Sequence, residues 1–276
     1  SSRASVSQLQ LGGTGAHPVD RPDLDLKLDL AGLAARGVTG TLQATAKGPM
    51  SGLAVTTRGA LQNVAGGPAA LDTALLLDLP KKHVRIDRLN ASVKGDAVRL
   101  LSPAAVDFGA TMGVDHLRAT LTPPHGRPAT LDLAGTFKPA LNVTARFDSL
   151  TPALATPFVA GLSASGTLDG QARVTGTLAK PQGQITVRGR DLRMNEGNAA
   201  AFPAASIDAS ARLQGDTAQL DANMKAGSQV TLALRGAVPT NSAGRMNVRA
   251  NGQIDLSVAD SILGAQGIST AGIVAI

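Results

Sequence analysis

The sequence contains no cysteine, no tryptophan and no tyrosine, and only 5 phenylalanines among 276 residues. The missing cysteines exclude disulfides, thiolate metal sites, iron–sulfur clusters and cysteine nucleophiles together. The missing rings bear on the core, because aromatic side chains supply much of the area that a compact globule buries. Hydrophobic residues make up 43% of the chain but aromatic ones only 2%. An ordinary apolar fraction built from alanine, leucine and valine argues against wholesale disorder. It points instead to a thin or elongated body in which no residue lies far from the surface.

Long apolar runs are absent too. No window approaches the ~18 consecutive apolar residues of a membrane-spanning helix. A spanning β-barrel is disfavoured, because its interfacial girdles use tyrosine and tryptophan. The opening Ser1–Gly13 stretch has no apolar core of the signal-peptide kind. The chain ends on Gly272-Ile273-Val274-Ala275-Ile276, inside a strand-like run, and so reads as an internal piece of something longer. Glutamate is nearly missing: of 20 acidic residues only Glu196 is one. Since aspartate is a poor helix former and glutamate a good one, this skew argues against helices. The net charge of +6 comes from basic residues scattered singly, without the aromatic platforms that stack on bases, so nucleic acid is not an expected partner.

What the sequence does hold is alternation. Leu24, Leu26, Leu28 and Leu30 alternate with Asp25, Lys27 and Asp29. The same period of two recurs at Leu141, Val143, Ala145 and Phe147, at Ile207, Ala209, Ala211 and Leu213, and at Val230, Leu232 and Leu234. It returns at Ile254, Leu256 and Val258. Each run is a half-buried strand by the geometry of a pleated chain. Turn signals separate the runs: Gly48-Pro49, Gly66-Gly67-Pro68, Lys94-Gly95-Asp96, Pro123-Pro124, Asn195-Glu196-Gly197 and Gln214-Gly215-Asp216. Together they predict an antiparallel meander of roughly 20 strands. Only two short helices fit anywhere, at 150–159 and 258–264. One run breaks the alternation: Leu75, Leu76 and Leu77 are consecutive, which predicts a local cover over the outer side of that strand.

A long-range repeat is visible. Segments starting near residues 28, 147 and 254 each read as a strand, a short helical or turn segment and then glycine-rich strands. Variable spacing between copies is what an array extended strand by strand produces. The expected organisation is a leader over 1–23 followed by a repetitive β-body over 24–276.

No catalytic constellation emerges. His17, His83, His116 and His125 lie in different segments, none with the i, i+4 spacing of a helical metal pair. The glycine-rich stretches at 12–15 and 161–170 lack the following helix and Lys-Ser/Thr pair of a phosphate loop. The basic stretch from Lys81 to Arg88, read as one strand, puts Lys82, Val84 and Ile86 on one side and Lys81, His83, Arg85 and Asp87 on the other. That is a charged outer face, or a contact for anionic headgroups or an acidic partner. No enzyme activity, cofactor or metal is expected.

Several motifs converge on one resemblance. Gly166-Thr167-Leu168 is followed by Gly176-Thr177-Leu178-Ala179-Lys180-Pro181-Gln182-Gly183-Gln184-Ile185-Thr186-Val187 and then by Arg190-Asp191-Leu192. Asn251-Gly252-Gln253-Ile254-Asp255-Leu256 leads into Ala271-Gly272, and Val98–Pro103 and Leu131–Thr136 fit as well. In order and density these resemble the TamB family, the inner-membrane component of the translocation and assembly module, within the AsmA-like superfamily. The likeness covers roughly residues 24 to 276. It implies a periplasmic β-trough in a protein hung from the inner membrane by an anchor that this chain lacks. It further implies an outer-membrane TamA-like barrel as partner, and a role in phospholipid transport between the membranes or in outer-membrane protein assembly.

The sequence therefore predicts an all-β fold: an elongated, mostly antiparallel meander curled into a U-shaped, taco-like trough, with an apolar inner face and one or two short helices. The partners expected inside it are phospholipid acyl chains. The groove candidates are Leu24, Leu26, Leu28, Leu30, Leu141, Val143, Ile185, Val187, Ile207, Leu213, Val230, Leu232, Leu234, Ile254 and Leu256. The alternative is a structural or adhesive secreted β-array with no lipid-carrying role.

Overall fold

A computed structural model describes residues 8–16, 23–35, 37–155, 163–196, 200, 202–240, 244, 246–255 and 272–275. It divides into two compact units, Ser1–Pro139 and Ala140–Ile276. Both are antiparallel β-meanders.

Unit 1 runs β1 (Gln8–Ala16), β2 (Asp23–Ala35), β3 (Val38–Pro49), β4 (Leu53–Val64), β5 (Gly67–Asp78), β6 (His83–Val93), β7 (Asp96–Leu100), β8 (Ala104–Phe108), β9 (Met112–Thr122) and β10 (Ala129–Lys138). Each strand from β1 to β6 pairs with the next, and β9 pairs with β10. Strands β7 and β8 lie end to end and share one place in the sheet, both paired to β6 and to β9. Unit 2 runs β11 (Leu141–Leu150), a 3-10 turn (Pro152–Ala155), β12 (Ala164–Gly176), β13 (Pro181–Met194), β14 (Ala205–Gln214), β15 (Thr217–Ala226), β16 (Val230–Pro239), β17 (Asn247–Asp255) and β18 (Ile273–Ala275). Every strand here pairs antiparallel with its sequence neighbour.

The turns sit where the sequence signals them. Lys94 and Gly95 both take positive φ, 54° and 92°, the geometry of a tight two-residue hairpin whose twist matches its strands. Of the two expected helices, the first holds among its described residues a four-residue 3-10 turn after β11. Pro152 opens this turn, where its missing backbone N–H costs nothing and its fixed φ suits the geometry. Residues 156–159 and the whole second candidate, 258–264, lie outside the described residues. The expected cover over Leu76 is not found among the described residues: Leu76 stands opposite Ala54 and Arg85 and is 41% exposed. Its neighbours Leu75 and Leu77 point to the other side.

Candidate functional site

In a pleated antiparallel sheet, residues directly opposite one another project from the same side, so the register determines which side chains share a face. In unit 1 one such row runs Leu30, Leu42, Gly59, Leu71, Ala91, Val98, Leu121 and Ala129 across β2 to β7, β9 and β10. The adjacent row, on the opposite side, runs Asp29, Gln43, Arg58, Asp72, Asn90, Arg99, Thr120 and Thr130. In unit 2 one row is Ala145, Ala172, Ile185, Ala211, Leu220, Gly236 and Val248, and the row beside it is Thr144, Arg173, Gln184, Arg212, Gln219, Ala237 and Asn247.

Of the residues read from the sequence as groove candidates, Leu30 and Ile185 stand in these rows, and the other described ones lie in neighbouring rows on the same side of their unit. Leu24, Leu28 and Leu30 are half-buried and Leu26 exposed, all on one side of β2. Leu141 is buried, while Val143, Ile185, Val187, Ile207, Leu213, Val230, Leu232, Leu234 and Ile254 are half-buried. The register joins these ten on one side of unit 2. Leu256 lies outside the described residues. Alternation alone missed Leu42, Leu71, Leu75, Ile86, Leu89, Val98 and Leu121, which extend the unit 1 rows. A bulge explains part of the omission. Asp87 is an extra residue between Ile86, opposite Leu75, and Arg88, opposite Ala74. It allows Ile86 and Leu89, three apart, to project from one side.

The rows are covered only partly. The buried apolar residues among those described are Leu53, Ala104, Ala119, Ala129, Leu141 and Ala226, and no large side chain among them is fully buried. Within the rows, larger side chains lean over glycines. A Cβ on Gly170 would lie 2.4 Å from the Phe147 ring, and one on Gly189 2.6 Å from Leu192 Cδ1. An apolar side chain folded over a glycine restores part of the contact that the missing side chain leaves open.

The opposite side is charged and wet. Asp72 forms ion pairs with two arginines on neighbouring strands, Arg58 Nε 3.5 Å from its Oδ1 and Arg88 Nε 3.1 Å from its Oδ2, although Oδ1 itself is buried without a hydrogen-bond partner. Arg118 meets Asp132 at 2.7 Å, and Lys27 meets Asp29 at 2.9 Å. Exposed pairs of this kind contribute about 0–1 kcal/mol each, so they orient the face more than they stabilise it. The basic stretch departs from its single-strand reading. Lys81 and Lys82 belong to the β5–β6 turn, with Lys82 at φ 53°, while Val84 and Ile86 do alternate with His83 and Arg85 within β6, as far as Asp87. His83 Nδ1 lies 2.7 Å from Asp107 Oδ1 across β6 and β8. These two are 24 residues apart, and no local spacing announces the pair.

Two carboxylates are displaced from their ordinary behaviour. The Lys81 backbone N–H, donating to Asp78 Oδ1 at 3.0 Å, and then the Lys81 ammonium hold Asp78 below the usual aspartate value. Desolvation pushes Asp96 up. Asp96 stands opposite Val93, at the end of an apolar row, and its Oδ1 is buried with no hydrogen-bond partner. Among the described residues there is no cluster of three or more His, Asp or Glu that could hold a metal ion, and no helix long and apolar enough to cross a membrane. The chain matches no family model, no curated protein and no solved structure.

Proposed function

We propose that the apolar rows hold lipid acyl chains, and that the protein is a segment of a periplasmic, TamB-like conduit or assembly scaffold rather than an enzyme. One observation carries the reading: the rows run unbroken from strand to strand, yet no large side chain along them is fully buried among the described residues. A single sheet with one apolar side must bury that side against something, and hydrocarbon is a partner that can be loaded and released. Curling each meander about its apolar side would give the trough that the resemblance implies.

The energetics suit this role. Moving an acyl chain of about 15 methylenes through water costs ~0.8 kcal/mol per methylene, roughly 12 kcal/mol in all. A long surface of modest, uniform affinity lowers that barrier without trapping the chain. Alanine and glycine alternating with leucine and valine provide shallow grooves of this kind, whereas rings would plug them. Delivery towards an outer-membrane barrel, or guidance of outer-membrane strands, follows from the resemblance.

The test is direct. Lipid extraction and mass spectrometry of the purified protein should recover phospholipid, and a fluorescent fatty acid should bind. Leu232→Asp should weaken that binding several-fold while the protein stays folded by circular dichroism. A lipid-free protein that binds no fatty acid, or a Leu232→Asp variant that binds like the parent, removes the reading.

A further inference from the structure

We propose that one margin of unit 1, formed by the β3–β4, β5–β6 and β8–β9 turns, docks on a bilayer surface bearing anionic lipid headgroups. These three turns are tied into one edge by backbone hydrogen bonds. Leu79 N donates to Met50 O at 2.9 Å, joining the first turn to the second, and Phe108 N donates to Lys82 O at 2.9 Å, joining the second to the third. Each turn presents large apolar side chains to solvent: Met50, Leu79, Phe108 and Met112 are between 36% and 44% exposed. Scattered exposed hydrophobics need no explanation, but several gathered on the tips of linked hairpins mark an interaction surface.

The chemistry beside these tips selects the partner. A cleft of about 770 Å³ at the same margin is lined by Asp78, Lys81, Lys82, His83, Asp107 and Thr111, among others. Lys81 is held by Asp78 and His83 by Asp107. Lys82 makes no ion pair among the described residues. Its stem lies against Gly109, where a Cβ would come within 3.1 Å of Lys82 Cδ. Apolar tips that enter the acyl boundary, flanked by lysines at headgroup level, match the composition of a membrane interface. Anionic lipids add attraction for each lysine near the surface. Phe108 stands opposite Met112 and in alternation with Val106, which faces Val84 and Val114. The apolar rows therefore run out to this margin. The proposal does not require that those rows carry lipid, because the tips and lysines suffice for docking.

Vesicle flotation tests it, using phosphatidylcholine vesicles with and without phosphatidylglycerol. The protein should float with the phosphatidylglycerol vesicles, less with phosphatidylcholine alone, and less again as salt rises. Leu79→Asp and Phe108→Asp should each lower partitioning about tenfold or more, the scale of burying one such side chain. Lys82→Gln should lower the phosphatidylglycerol preference about fivefold, the scale of one lysine near the surface, and Lys81→Gln, whose lysine is already held by Asp78, should lower it less. Leu101→Asp alters an exposed leucine at the β7–β8 junction, away from this margin, and should float like the parent. Failure to float with any vesicle would assign the margin to another partner, such as an acidic protein, and overturn the proposal. So would a loss of flotation from Leu101→Asp equal to that from the margin variants. Fatty-acid binding is read in parallel. Margin variants that keep it while losing flotation support docking. Flotation lost with Leu232→Asp but kept in the margin variants would show that vesicles are held through the rows, and overturns it.

Discussion

Units 1 and 2 are both antiparallel meanders with alternating rows, but they stabilise a single sheet differently. In unit 1 the apolar rows are rich in leucine, and the polar side links strands through charge, with Asp72 on β5 serving Arg58 on β4 and Arg88 on β6. In unit 2 the rows alternate alanine or glycine with one larger residue, and the polar side is largely amide and hydroxyl, as in Thr144, Gln184 and Gln219. Pairs such as Arg188–Asp208 and Arg235–Asp221 join carboxylate and arginine one to one. The lesson is that a sheet can be held by cross-strand side chains or by close backbone approach, and the two devices fail differently under mutation; both units use both, since Gly40 of β3 also lies against the Ala60 carbonyl of β4, but close approach recurs more in unit 2, at Gly183, Gly236 and Gly252.

The largest expected effect separates the two devices at glycines. Gly183 on β13 has φ 141°, and a Cβ there would lie 2.0 Å from the Arg173 carbonyl oxygen on β12. Backbone cannot step aside as a side chain can, so Gly183→Val should cost about 3 kcal/mol or more. In unit 1 a Cβ on Gly59 would meet Leu42 Cδ1 at 3.1 Å, the far end of a side chain that can rotate. Gly59→Ala should therefore be nearly neutral. With no tryptophan or tyrosine in the chain, intrinsic fluorescence is a poor reporter. Hydrogen-exchange mass spectrometry can read each unit, and loss of protection over β12–β14 in Gly183→Val alone is the expected result. Equal protection in the two variants would mean that unit 2 does not depend on close approach.

That contrast also marks where the sequence is legible. Alternation is enough to find β2, β11, β14 and β16 and the side on which their leucines and valines project, because the period of two is unbroken over Leu24 to Leu30, Leu141 to Phe147, Ile207 to Leu213 and Val230 to Leu234. It fails where an extra residue resets the period. Asp87 does so in β6, and Leu101 to Pro103 split what would be one strand into β7 and β8. The repeat read at residues 28 and 147 takes a physical meaning only from the backbone. Both copies run into a bulge with a left-handed residue, Gly32 at φ 61° between Leu30 and Leu33, and Ser149 at φ 57° between Phe147 and Leu150. The Ser149 bulge is braced by its backbone N–H donating to Asp169 Oδ1 at 2.9 Å, a long-range partner that no local spacing shows. The hairpin margin in unit 1 was hidden for the same reason. Met50, Leu79 and Phe108 are unrelated in sequence and become neighbours only through the pairing of β4, β5, β6 and β8.

A smaller effect sharpens the comparison on the polar side. Asp72→Asn removes both ion pairs at once and should destabilise unit 1 by no more than about 1 kcal/mol, an effect that shrinks in high salt because both arginines are exposed. Asp208→Asn in unit 2 removes a single 3.5 Å pair whose partners are both 68% exposed, and should change stability by no more than a few tenths of a kcal/mol. Paired urea titrations at low and high salt decide it. A salt-independent loss for Asp72→Asn would mean that the arginines pack on the sheet rather than pair with the carboxylate.

The smallest expected effect uses pH. Asp96 has its folded-state value raised by desolvation, so the folded chain holds that proton more tightly than the unfolded chain does. As pH rises through the ordinary aspartate value the unfolded form ionises first, and unit 1 loses stability until the folded carboxyl ionises too. The penalty is complete above the folded value and absent well below the ordinary one. Asp78 works in the opposite sense: its folded value is lowered, so its contribution is present above the ordinary aspartate value and fades as pH falls through the folded one. Asp96→Asn should therefore raise the stability of unit 1 modestly at neutral pH and change nothing in strong acid, while Asp78→Asn should lower it at neutral pH and converge with the parent in acid. Hydrogen exchange in unit 2 should be indifferent to both substitutions. If Asp96→Asn destabilises at neutral pH, the carboxylate is held by a partner rather than stranded, and the end of that apolar row is wetter than its burial implies.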